Sequence, residues 1–115
     1  YQDAGAVVLF VEGPRSRDEL REIGRRLPAP LAVNLIEGGR TPICSLDELA
    51  EMGFYSVGFV LSGLYASARA MERTFSELRA AGSTDAMRGD LMAFDEFNEL
   101  IGLAERYDHD EQYRA

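Results

Sequence analysis

Three apolar runs govern what this chain can fold into. They begin near positions 7, 31 and 56. Each starts about 24 residues after the last, the length of one strand, one loop and one helix. The first, Val7-Val8-Leu9-Phe10-Val11, is β-branched at three of its five positions. The second is Leu31-Ala32-Val33-Asn34-Leu35-Ile36, and the third lies within Phe54 to Leu61. Continuous runs of this length suit parallel strands buried on both faces, whereas half-exposed antiparallel strands alternate. Adjacent parallel strands are therefore expected near 7–12, 31–36 and 56–61.

The intervening segments carry helix signals. Ser16-Arg17-Asp18-Glu19 and Ser45-Leu46-Asp47-Glu48 each have the Ser-x-x-Glu spacing of a capping box. Leu20, Ile23 and Leu27 then recur at helical spacing until Pro28 and Pro30 stop them. Gly53 fits the end of the second helix, and Ser62-Gly63 opens a third that Gly82 ends. These signals predict helices near 16–26, 45–52 and 63–81. Residues 1–82 thus read as three βα units, an α/β arrangement whose strands need neighbours along both edges. Gly5 reads as the cap of a helix that begins before Tyr1, so the chain is expected to be part of a longer one.

After Gly82 the pattern changes, and residues 83–115 read as a helical extension and tail. Ser83-Thr84-Asp85 can cap a short helix through Met87, Leu91 and Met92. Phe94 to Ile101 forms another, with Phe94, Phe97 and Ile101 on one face. The polar tail from Tyr107 to Tyr113 is expected to be loosely ordered or docked on a partner.

Composition narrows the function. A formal net charge of −8 disfavours a nucleic-acid surface, which needs clustered positive charge. All twelve basic residues are arginine, so lysine Schiff-base chemistry is excluded for this segment. Cys44 is the single cysteine and can form no intrachain disulfide. No apolar stretch approaches the roughly 20 residues that span a bilayer, and a cytoplasmic location is expected.

In parallel α/β folds the chemistry lies on the loops after the strands' C-terminal ends. Glu12, the segment Asn34 to Thr41, and Ser62 stand there. A carboxylate at Glu12 can accept from a substrate hydroxyl, hold a hydrated metal, act as a base or simply be solvated. Asn34 interrupts an apolar strand, and a buried unpaired amide costs about 1–3 kcal/mol. It either binds a ligand or ties to a neighbouring loop. The amides of Gly38 and Gly39 could approach an anion, though a plain turn is the commoner use of Gly-Gly. Arg40 is expected to point to solvent, with an anion clamp as the alternative. Cys44 and His109 read as structural; a metal site at His109 with Asp108 and Asp110 is disfavoured, because adjacent side chains rarely converge on one ion.

Three stretches together resemble a known family: DAGA at 3–6 with VLFVEGP at 8–14, PLAVNLIEGGRTP at 30–42, and FDEFNELIGL at 94–103. Their order and spacing are similar to the C-terminal part of the phosphoenolpyruvate mutase/isocitrate lyase superfamily. The resemblance implies strands six to eight, plus terminal helices, of a (β/α)8 barrel. It implies Mg²⁺-dependent cleavage or formation of C–C or P–C bonds beside a carboxylate, through an enolate-like intermediate. Glu12 would match the strand-six carboxylate, and Asn34, Leu35 and Ile36 the strand-seven substrate segment. Glu37, Gly38, Gly39 and Thr41 would be secondary contacts. The Mg²⁺ ligands and the catalytic residues are expected upstream of this segment, and Cys44 does not match the family's catalytic cysteine. Tyr65 stands where methylisocitrate lyases carry an arginine that contacts a substrate carboxylate. A smaller acid is therefore expected, as in the oxaloacetate decarboxylase-like or 2,3-dimethylmalate lyase-like members. The resemblance also implies a homo-oligomer with exchanged C-terminal helices. The alternative is a non-catalytic or degenerate member, a half-barrel serving as an assembly module.

Overall fold

A computed structural model describes residues 1–28 and 30–113; the last two residues of the 83–115 extension lie outside the described residues. The chain divides into two compact units, Tyr1–Arg69 and Ala70–Ala115.

The first unit opens with a 3₁₀ turn, Gln2–Ala4, closed by Gly5 at φ 96°. A left-handed residue of this kind is the helix end expected from the sequence. Three strands follow: β1 (Leu9–Phe10), β2 (Leu31–Leu35) and β3 (Phe54–Phe59). They form one parallel sheet in the order β1-β2-β3. Leu9 lies opposite Leu31, and Asn34 opposite Gly58. β1 is shorter than the expected 7–12, since only Leu9 and Phe10 pair with β2. β3 begins at Phe54, two residues before the expected start, because the buried Phe54 side chain belongs to the core.

Helices α1 (Arg17–Arg26) and α2 (Leu46–Glu51) follow β1 and β2. The Ser45–Glu48 box is complete: Ser45 Oγ accepts from the Glu48 amide at 3.1 Å, and Glu48 accepts from the Ser45 amide at 2.8 Å. At α1 the box is shifted. Ser16 accepts from Glu19 as expected, but the Glu19 carboxylate accepts from the Arg15 amide, at 2.6 Å, one residue before the cap.

Alternation along β2 positions everything else. Leu31, Val33 and Leu35 are buried and pack with Leu20, Cys44, Leu49 and Phe54 to make the core. Ala32 and Asn34 face the other side of the sheet. That side is only partly covered: Phe10, which lies opposite Ala32, and Asn34 itself are exposed. The expectation of burial on both faces therefore holds for one face within this chain.

Helix α3 (Ser62–Ala81) leaves β3 and enters the second unit. A 3₁₀ turn (Asp85–Asp90) follows, without a side-chain cap at Thr84; Ser83 Oγ instead accepts from the Asp85 amide at 3.1 Å. Then come α4 (Phe94–Leu100) and α5 (Leu103–Tyr113). The tail expected to be loosely ordered is thus helical through Tyr113, where the rings of His109 and Tyr113 lie 4.7 Å apart.

Candidate functional site

The C-terminal ends of β1 and β2 open onto one cleft of about 540 Å³. Its walls include Phe10 to Arg15 from the first strand end and loop. Val33, Asn34, Ile36, Gly39, Arg40 and Thr41 come from the second. Glu12 and Asn34 therefore meet in the same space, though twenty-two positions separate them in sequence. The parallel pairing of Leu9 with Leu31 causes this, because it sets the two strand ends side by side.

Local chemistry shapes each wall. Gly13 has φ 65°, a conformation that costs a non-glycine residue, and it turns the chain sharply after Glu12. Pro14 is buried, and the Arg15 amide is held by Glu19, so this loop is anchored on the first turn of α1. On the second loop, Gly38 has φ 76° and the Gly39 amide donates to the Ile36 carbonyl at 2.9 Å. The Gly39 amide is thereby engaged inside the turn, the plain role of a Gly-Gly pair. Thr41 is buried and fixes the far end of the loop.

The other candidate residues separate from the cleft. Leu35 is fully buried in the core on the opposite face of β2. Gly38 does not line the cleft, and neither does Glu37, which accepts a hydrogen bond from the Ser62 hydroxyl at the start of α3. That donation, with a contribution from the backbone at Glu37, holds the Glu37 carboxyl below the usual glutamate range. The pair links the loop after β2 to the loop after β3. Cys44 is buried beside the Pro42 carbonyl, consistent with a packing role.

Two residues at the site escaped sequence reasoning. Gly58 lies beside Asn34, and a Cβ there would come within 2.6 Å of Asn34 Oδ1. Arg15 lines the cleft with Arg40, a place that no motif in its sequence neighbourhood marks.

A Mg²⁺ site can be tested against these residues. Among the described residues no three histidine, cysteine, aspartate or glutamate side chains come together in a way that could hold a metal ion. Glu12 is the single acidic wall of the cleft. The described residues alone do not fit a metal centre.

No family model matches the sequence. Curated relatives and solved structures do. The chain is 42% identical over 113 residues to the chloroplastic carboxyvinyl-carboxyphosphonate phosphorylmutase of Arabidopsis thaliana, covering 98% of this chain and 33% of that protein. It superimposes with a TM-score of 0.82 and 33% identity on a crystal structure of 2,3-dimethylmalate lyase, described as a PEP mutase/isocitrate lyase superfamily member. That match covers 96% of this chain and 39% of the other. The chain belongs to the phosphoenolpyruvate mutase/isocitrate lyase superfamily. Oxaloacetate acetylhydrolase bound to its product oxalate matches with a TM-score of 0.83 at 27% identity, over 99% of this chain and 39% of the other. The three βα units and terminal helices are the C-terminal portion of this superfamily's (β/α)8 barrel. The chain spans about a third of the length of the curated relatives it matches. Superfamily relatives of this chain include carbon–carbon lyases of small carboxylic acids.

Proposed function

We propose that this chain supplies the strand-six to strand-eight side of the active site of a carbon–carbon lyase or decarboxylase. Its substrate would be a small 2-hydroxy or 2-oxo dicarboxylic acid. The observation that carries the reading is the meeting of Glu12 and Asn34 in one cleft at the C-terminal strand ends. Breaking a bond next to a carbonyl leaves an electron pair that must delocalise as an enolate, and positioned donors at the oxygen stabilise that charge. The Asn34 amide can donate to such an oxygen, and the Glu12 carboxylate can accept from a substrate hydroxyl. Ile36 and Thr41 complete the walls. Mg²⁺ would enter this reading as a Lewis acid, with its ligands supplied from outside the described residues.

The same reading makes the enzyme a cytoplasmic homo-oligomer that exchanges its terminal helices. No described helix is long and apolar enough to cross a membrane.

The test is turnover in the full-length protein. Glu12→Gln and Asn34→Ala should each cut kcat by about 10²-fold or more, the scale of losing one donor to a developing charge. Their thermal midpoints should stay near the parent's, since both residues are exposed. Variants that unfold easily yet turn over normally when folded would make both residues structural. A full-length protein that neither binds nor cleaves any small diacid would favour the non-catalytic assembly module.

A further inference from the structure

We propose that Arg15 and Arg40 form a two-arginine rim that recognises the second carboxylate of the substrate, so that the site selects dianions over monoanions. This rests on the reading of the cleft as a carboxylic-acid site and adds which charge pattern it selects.

The first observation is how the arginines are used. Arg17 is paired with Glu48, Arg21 with Asp18, and Arg25 and Arg26 both with Glu22. Arg15 and Arg40 have no carboxylate partner among the described residues. Both line the cleft. Arg79 and Arg106 also lack a carboxylate partner among the described residues, but it is Arg15 and Arg40 that share one opening, in a chain with a formal charge of −8.

The second observation is how the two residues are mounted. Arg15 lies between buried Pro14 and the Ser16 cap of α1, with its amide held by Glu19. Arg40 lies between the hydrogen-bonded turn at Gly39 and buried Thr41. Each side chain therefore leaves an anchored loop, and the loops follow adjacent parallel strands. A guanidinium is planar, permanently charged and suited to bidentate contact with a carboxylate. Asn34 lies in β2 and Glu12 two residues past the end of β1, each nearer its strand than the arginine that follows it. A diacid would thus present its reacting end to the strand ends and its second carboxylate to the rim.

The experiment compares the affinities of full-length protein for malate and lactate, a 2-hydroxy diacid and a 2-hydroxy monoacid, by calorimetry. The parent should bind malate at least about tenfold more tightly, the effect of one charge-assisted hydrogen bond. In the double variant R15Q/R40Q that ratio should fall toward one, with lactate affinity little changed. The malate affinity of the parent should also weaken with added salt more steeply than that of the variant. An unchanged malate-to-lactate ratio in R15Q/R40Q, or a parent with no preference, overturns the rim and leaves the lyase reading standing. A parent that binds neither acid and cleaves no diacid overturns the lyase reading and the rim with it. If R15Q/R40Q fails to fold, R15K/R40K takes its place. Keeping the charge but losing the bidentate fork should give an intermediate ratio, and an unchanged one overturns the rim.

Discussion

Gly24 in α1 lies so close to Met52 that a Cβ added at Gly24 would sit 1.7 Å from the Met52 carbonyl oxygen. A glycine inside a helix normally costs about 1 kcal/mol relative to alanine. Here the close approach of α1 to the end of α2 reverses that preference, because the obstacle is backbone and cannot rotate away. Overpacking of this kind costs about 1–3 kcal/mol. Gly24→Ala should therefore lower the stability of the protein, read as a lower urea midpoint with the same slope. A raised midpoint would show that the helices separate without cost.

A second prediction concerns pH. The Glu48 carboxyl lies below the usual glutamate range, chiefly because the Ser45 amide donates to it and then because Arg17 does. The Arg17 guanidinium, raised in turn mainly by Glu48, also donates to the Ile43 carbonyl at 2.9 Å. A depressed carboxyl contributes stability that is fully present above its unfolded value and lost as pH falls through the folded one. The acid limb of the stability profile should therefore be shallower in Glu48→Gln than in the parent, while the two profiles run parallel from neutral pH upward. Identical acid limbs would mean that Glu48 titrates alike in both states. Both side chains are substantially exposed, so added salt should shrink the difference.

A third prediction tests the space around Asn34. A methyl group at Gly58 would press on Asn34 Oδ1 at 2.6 Å and approach Val60 at 3.1 Å. The obstacle is the end of a side chain, so the strand can persist while the amide is displaced. Gly58→Ala should then weaken binding of a small diacid by the full-length protein about tenfold or more, the scale of one hydrogen bond to a charged group. Its thermal midpoint should move by only a few degrees. Equal affinity in the variant would show that the placement of Asn34 does not matter to the ligand.

Much of this was legible in the sequence for a physical reason. Ser16 and Ser45 set the starts of α1 and α2, because capping is decided within four residues. Parallel strand order followed from continuous apolar runs joined by helices. The ends of β1 and β3 were not legible, because pairing depends on the neighbouring strand: Val7, Val8 and Val11 have the composition of a strand but no partner in β2. The register irregularity between Leu31 and Ala32 has no local signal either. Helix α5 was missed because most of its residues are charged or polar and it buries none of them. At the site, Glu12 and Asn34 were found by position, since strand ends carry chemistry in such folds. Arg15 and Gly58 were not, because their meaning comes from a neighbour across the sheet or across the cleft.

The final prediction concerns the helical extension. Met87 is buried, but Phe94, Phe97, Leu100 and Ile101 are 79%, 51%, 69% and 40% exposed. Four large apolar side chains on one short helix and its end form a patch of the kind that marks an interaction surface. The proposed occupant is the same segment's neighbour subunit, with residues 83–103 packing mainly there. Burying such side chains is worth about 1.5–3 kcal/mol each, enough together to make association obligate at ordinary protein concentrations. Phe97→Asp would place a charge in that contact and should lower the oligomeric state of the full-length protein in sedimentation analysis. Glu99→Gln, a surface change on the same helix, should leave it unchanged. A full-length protein that sediments as a monomer, with α4 protected from proteolysis on its own barrel, would refute the exchange.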